Sequence, residues 1–148
     1  LVPKKGKANT EFSSQYLAYK ALPKYIKNKL KKYKGNYSSE GPISITTQER
    51  VKEKGKINKE LKSRHNIIRK IKSKYTIYCS PGHFVGFNSN LTRNKKLEKY
   101  LFNHQIKKKF QYSLEWEKNQ LAIWDNRSML HQATPFKGTR IMHRITIE

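Results

Sequence analysis

Apolar residues follow two rhythms along the chain, helical spacing early and alternation late. Phe12, Tyr16 and Tyr19, with Leu17 and Ala21 among them, recur at helical spacing. Asn9 or Thr10 is expected to cap that helix, since either side chain accepts from the free N–H groups of a first turn. Glu11 then complements the helix dipole. Pro23 predicts a second short helix over 24–32, with Tyr25, Ile26 and Leu30 on its apolar side. Between 35 and 60 both rhythms fail. Gly35, Gly41-Pro42 and Gly55 punctuate a charge-dominated stretch, read as a long loop with one short strand at 43–46. Loops of that length are usually functional or disordered; an active-site lid and plain mobility both stay open.

Ile67, Ile68 and Ile71 form a short apolar patch, and 75–79 reads as a strand before a Pro81-Gly82 turn. Thr92 is expected to cap a helix to about 106, with Leu97, Tyr100, Leu101 and His104 at i, i+3, i+4 and i+7. Alternation then takes over. Phe110, Tyr112, Leu114 and Trp116 share one face of a strand over 110–116. A Lys118-Asn119 turn, a strand at 120–124 and an Asp125-Asn126 turn follow, and 140–147 is the last strand. The order predicts a mostly-β fold with inserted helices, an antiparallel sandwich or barrel. Three parts are expected: a helical segment at 1–34, a loop-rich insert at 35–74, and strands with one helix at 75–148.

Alternation places Arg140, Met142, Arg144 and Thr146 on one face of the last strand, and Ile141, His143, Ile145 and Ile147 on the other. The isoleucine face is expected to be core. The two arginines stand roughly 13 Å apart at the rise of an extended chain. Inside a barrel such charges need anionic partners. Two small carboxylates, or a carboxylate and a sulfonate, would serve through bidentate forks. His131 follows a strand and a polar turn, where a neutral imidazole is able to bind a metal. A hydrogen-bonded surface or core histidine is the commoner case, and His65, His83, His104 and His143 share that reading.

Composition changes this picture little. The 148 residues are 35% hydrophobic and carry a net charge of +23, which points to a polyanion binder or to compositional drift. The excess is mostly lysine, spread from Lys4 to Lys137 among many Asn and Ile residues, the three types that AT-rich codons encode. Nucleic-acid sites prefer Arg and cluster, so drift is favoured. Runs such as Lys29-Leu30-Lys31-Lys32 and Lys107-Lys108-Lys109 read as solvated faces. No apolar run reaches the length of a membrane span and no signal-peptide pattern opens the chain. The lone Cys79 excludes an intrachain disulfide and fits a reducing, cytoplasmic compartment.

Trp124-Asp125-Asn126-Arg127-x-x-x-His131, followed by Arg140-Ile141-Met142-His143-Arg144, resembles the C-terminal signature of the taurine dioxygenase and 2,4-dichlorophenoxyacetate dioxygenase family. Further stretches match in order. Asn9-Thr10-Glu11-Phe12, with Ala18-Tyr19 and Ala21-Leu22-Pro23, is similar to the family's Gly-Gly-Asp/Asn-Thr-x-Phe segment and the helix after it. His65 to Arg69 resembles its His-Pro-x-x-Arg turn, and Tyr78 to His83 its Tyr-x-x-Pro-Gly-His stretch. Phe110-Gln111-Tyr112 and Trp116 precede the signature in the family's fashion.

The resemblance implies a double-stranded β-helix, or jelly roll, and an Fe(II)-dependent dioxygenase that uses 2-oxoglutarate and O2. Hydroxylation of a small, anionic organic substrate is the implied reaction, the anion being a sulfonate, sulfate or carboxylate. His131 would be the distal histidine of the iron-binding triad. Thr10 and Arg140 would hold the distal carboxylate of 2-oxoglutarate, and Arg144 the substrate's anionic group. Trp124 to Arg127 would set the turn that aims His131, with Asp125 structural. Phe84 and Phe87 would line a substrate pocket or pack the core. No specific nucleic acid and no membrane are expected as partners; a homo-oligomer is left open.

The departures are informative. Lys7-Ala8 replaces the glycine pair, and His65-Asn66 replaces His-Pro. The family's other two iron ligands form a His-x-Asp motif upstream of the threonine segment, yet no histidine here has Asp or Glu two residues later. With Leu1 in place of Met, the expectation is the C-terminal part of a single oxygenase domain, inactive alone, exposing apolar surface and prone to aggregate. Two other readings stand: a basic nucleic-acid-binding module, and a non-catalytic relative of the oxygenase fold.

Overall fold

Threonine and phenylalanine near the start favour extended backbone over helix, and a strand forms there. In the computed structural model, which describes residues 8–39, 61–87, 94–138 and 140–147, β1 (Thr10–Ser14) precedes α1 (Gln15–Lys20) and α2 (Lys24–Leu30). Thr10 is therefore a strand residue and not a cap. Ser14 caps α1, its side chain accepting from the Leu17 N–H. Pro23, at φ −56°, precedes α2 as expected, and Ile26 and Leu30 bury one side of it.

Where it is described, the part read as a loop-rich insert, 35–74, holds β2 (Lys34–Ser38), β3 (Lys62–Asn66) and β4 (Ile68–Ile71). β5 (Lys74–Ile77), near the strand expected at 75–79, and β6 (Phe84–Phe87) follow. The strand expected at 43–46, the rest of the loop to 60 and the Thr92 cap lie outside the described residues. Asn94 caps α3 (Lys95–Gln105), its side chain accepting from the Leu97 N–H at 3.0 Å. A 3-10 turn (Lys108–Phe110) precedes β7 (Gln111–Leu114), and β8 (Met129–Ala133) comes last.

Antiparallel ladders join the strands in the orders β7-β1-β8 and β3-β2-β6, with β4 and β5 as a separate pair. β1 is central to the first sheet: Phe12 faces Tyr112 on one side and His131 on the other. The core gathers Ala18, Leu22 and Leu30 from the helical start, Ile67, Ile77, Phe84 and Phe87 from the strands, and Leu97, Leu101 and Phe110 beyond. Phe84 and Phe87 are thus core residues. Tyr37, buried, donates its hydroxyl proton to the Tyr78 carbonyl. Cys79 is buried too, and burial raises its thiol pKa far above the usual range. Among the described residues no helix is long and apolar enough to cross a membrane.

Two expected strands do not join a sheet. Residues 120–124 and 140–147 form no ladder. The isoleucine face is not core: Ile145 and Ile147 are 88% and 90% exposed, and Leu121 and Ile123 81% and 86%. Alternation was present, but it becomes burial only where a neighbouring strand supplies ladder partners. Asn119 adopts φ 64° in the turn expected at Lys118-Asn119, a conformation Asn tolerates better than most residues.

Two positions test this packing. A Cβ on Gly35 would sit 2.8 Å from Phe84 Cε2 and from the Tyr37 hydroxyl, and 2.9 Å from Ile67 Cδ1. Gly35→Ala should cost about 1–3 kcal/mol through overpacking, read by chemical denaturation; unchanged stability would refute this packing. His104 is buried, with Nε2 2.8 Å from the Ala18 carbonyl and no partner at Nδ1. Burial lowers its pKa, so the unfolded chain takes up the proton first. Stability should fall as pH drops through about 6.5, the ordinary histidine value, and level off below the lowered folded value. His104→Gln should flatten that part of the melting-temperature profile.

Candidate active site

β1 carries Thr10 into contact with the chain's far end. Its hydroxyl, buried, accepts from Trp116 Nε1 at 2.9 Å and from Arg140 Nη2 at 3.2 Å. A hydroxyl has two acceptor lone pairs and one proton; with both lone pairs engaged, what Thr10 has left to offer is a donor. The Arg140 guanidinium lies 5.9 Å from the ring centres of both Trp116 and Phe136. Its Nε is buried without a hydrogen-bond partner. Burial lowers the Arg140 pKa, since removing the cation from water disfavours its charged form. One hydroxyl proton and one guanidinium N–H thus await an acceptor beside an aromatic wall, a donor set that fits a carboxylate.

His131 stands on β8 opposite Phe12. Its ring centre is 5.2 Å from that of Trp124 and 6.2 Å from that of Phe12. The residue as a whole is exposed, but its ring rests against these two aromatics. That partial desolvation and then the positive charge of Arg144 lower its pKa, against a backbone hydrogen bond with Met129. The imidazole is therefore held toward its neutral, metal-binding form. Arg144 is exposed; its field reaches His131.

The turn before β8 is locked by Asp125. Its carboxylate accepts from the Arg127 backbone N–H at 2.8 Å, from Nε at 2.9 Å and from Nη2 at 2.8 Å. Ser128 N–H donates to the Asp125 carbonyl, and the Ser128 carbonyl accepts from Gln15 N–H at 2.9 Å. Arg127, chiefly through its hydrogen bonds, lowers the Asp125 pKa. With both oxygens engaged, Asp125 orders the turn and is not available as a metal ligand.

The structure therefore joins Thr10 to Arg140 directly and sets His131 within the field of Arg144. Two contributors escaped the sequence reading in these roles: Trp116, which appeared as a strand-face aromatic, and Phe136, which no periodicity marked. Two of the other histidines have partners outside this site. His65 packs on Tyr37 and Tyr78, and His83 Nδ1 is 3.4 Å from the Ser38 carbonyl. Among the described residues no three His, Cys, Asp or Glu side chains converge to hold a metal. One imidazole does not make an iron site, so the residues described here fit the carboxylate but not, unaided, the metal.

The fold has counterparts among solved structures. A taurine dioxygenase from Burkholderia xenovorans superposes with a TM-score of 0.70 at 20% identity, over 89% of this chain and 42% of that one. A Burkholderia xenovorans chain assigned as an alpha-ketoglutarate dependent 2,4-D dioxygenase gives 0.68 at 19%, over 90% and 52%. AAD-2, in complex with Mn(II) and N-oxalylglycine, gives 0.68 at 18%, over 92% and 51%. At such identities the likeness is one of fold: mostly β, with antiparallel sheets and few helices. The chain spans about half the length of the solved structures it matches. A sequence model described as taurine catabolism dioxygenase TauD, TfdA family matches residues 2–146. With nearly its whole length matched, this chain belongs to the TauD/TfdA dioxygenase family.

Proposed function

We propose that this chain carries the cosubstrate-anchoring part of an Fe(II)- and 2-oxoglutarate-dependent dioxygenase built on a jelly roll. One observation carries the reading: the buried, unpartnered Nε of Arg140 beside a Thr10 hydroxyl whose lone pairs are already occupied. Arg140 and Thr10 hold the distal carboxylate of 2-oxoglutarate. Trp116 fixes the Thr10 hydroxyl and, with Phe136, keeps water from the guanidinium, which strengthens the charge-assisted bonds.

His131 is the one iron ligand this chain contributes among its described residues. Iron binding by the protein requires further ligands beyond those described. When bound, iron with 2-oxoglutarate and O2 supplies the oxidising power for hydroxylation. Arg144 faces the substrate end and orients a small anionic substrate bearing a sulfonate, sulfate or carboxylate; family membership and its charge near His131 support that role.

Calorimetric titration of 2-oxoglutarate into the protein tests the anchor directly. Arg140→Ala should weaken binding about 30-fold or more, the loss expected when a buried charge pair is truncated by about 2 kcal/mol. Arg140→Lys should recover only part, lacking the fork. Equal affinity in wild type and Arg140→Ala would sink the reading. With the protein in its catalytically complete form, Arg144→Ala should raise KM for small sulfonates or carboxylates about tenfold with 2-oxoglutarate affinity unchanged. A fall in 2-oxoglutarate affinity of similar size would reassign Arg144 to the cosubstrate.

A further inference from the structure

Two stretches distant in sequence, 16–31 and 70–75, bring tyrosines and lysines together on one surface. The rings of Tyr19 on α1 and Tyr75 on β5 lie 5.4 Å apart, tilted by 33°. Lys27 Nζ, from α2, sits 5.2 Å from the Tyr19 ring centre. Lys31 and Lys70 place their ammonium groups 5.8 Å and 5.9 Å from the Tyr75 ring centre. Lys74 adds a fourth, 5.8 Å from Tyr16. Tyr75 is 42% exposed, and Lys31, Lys70 and Lys74 are exposed. The segments that build this surface are cationic throughout, because the sequence has no Asp or Glu between Glu11 and Glu40 or between Glu60 and Glu98.

The electron-rich ring faces gather the ammonium groups, yet they do not cancel the charge. Like charges held this close repel, and a polyanion that displaces its own counterions onto solution relieves that repulsion. When Lys31 and Lys70 turn from the ring to phosphates, they leave the partly exposed Tyr75 open, the pairing of stacking platform and positive track that suits unpaired bases on a phosphate chain. A lipid headgroup layer asks for something else: an amphipathic helix with an apolar face to insert. Helices α1 and α2 have six and seven residues and turn lysines and phenol rings to this surface.

We propose that the Tyr19–Tyr75 surface docks single-stranded nucleic acid without sequence preference, Lys27, Lys31, Lys70 and Lys74 holding phosphates and Tyr75 stacking a base. The proposal uses none of the residues assigned to the cosubstrate and does not depend on the dioxygenase reading.

Fluorescence anisotropy of a labelled 20-nucleotide oligothymidylate, titrated with the protein across a salt series, tests it. Near physiological salt the expected Kd is about 1–100 µM. The quadruple variant Lys27→Gln, Lys31→Gln, Lys70→Gln, Lys74→Gln should bind at least about tenfold more weakly, with the log–log salt slope shallower by about 3. A charge-matched variant on exposed lysines elsewhere, Lys95→Gln, Lys96→Gln, Lys99→Gln, Lys118→Gln, should lose less than about threefold. Tyr75→Ser should weaken binding about fivefold while Tyr75→Phe matches wild type. Thermal melts accompany each variant, with Lys31→Gln, Lys74→Gln as the milder replacement if the quadruple variant unfolds. Equal losses in the two charge-matched variants would show a mere net-charge effect and overturn the proposal. So would unchanged binding in Tyr75→Ser, or preference for phosphatidylserine vesicles over the oligonucleotide.

Discussion

The ladder on either side of β1 is the contact on which the rest depends. Thr10 to Ser13 pair with Gln111–Leu114 on one edge, and Thr10–Ser14 with Met129–Ala133 on the other. That pairing carries Thr10 to Trp116 and Arg140, and Phe12 to His131 and Trp124. A one-residue slip would turn every one of these side chains to the opposite face. The register is held from outside the ladder as well: Ser13 donates to the Gln105 carbonyl at 2.5 Å, and Gln132 Nε2 donates to Glu11 at 2.8 Å.

Around that ladder the chain separates support from chemistry. The buried hydrophobic cluster draws on α1, α2, α3 and strands β2, β4, β5 and β6, and takes no residue from the strand-like segments at 120–124 and 140–147. The donors of Thr10 and Arg140 therefore stand at the border between a packed region and one that lacks ladder partners. There the guanidinium is flanked by the Trp116 and Phe136 rings. The Asp125–Arg127 clamp fixes the backbone just before His131.

Much of this was legible in the sequence, for uneven reasons. The signature residues were visible because special chemistry needs special residue types: two arginines four apart, a histidine after a polar turn, a Pro-Gly turn. Helix α2 and the apolar face of α3 followed from spacing alone. Thr10 misled as a cap because threonine suits both an N-cap and a strand, and only the partners from β7 and β8 decide between them. Residues 141–147 alternated convincingly yet stay exposed, since alternation records which faces differ and not whether a neighbour exists. Trp116 was visible as an aromatic, but its indole N–H on Thr10 is a long-range contact that no local pattern encodes. The lysines of the Tyr19–Tyr75 surface looked scattered for the same reason: they belong to segments that meet only in the fold.

Cys79 has a consequence of its own. The thiol is buried, its pKa is raised by that burial and by the nearby charge of Glu98, and its backbone carbonyl is held by the Gln105 side chain at 3.1 Å. A thiol in that state hardly reacts, since the thiolate is the nucleophile. Alkylation must then wait for the core between β5 and α3 to part. With one cysteine in the chain, the labelling rate becomes a clock for that opening, read on the unmodified protein without any engineered probe.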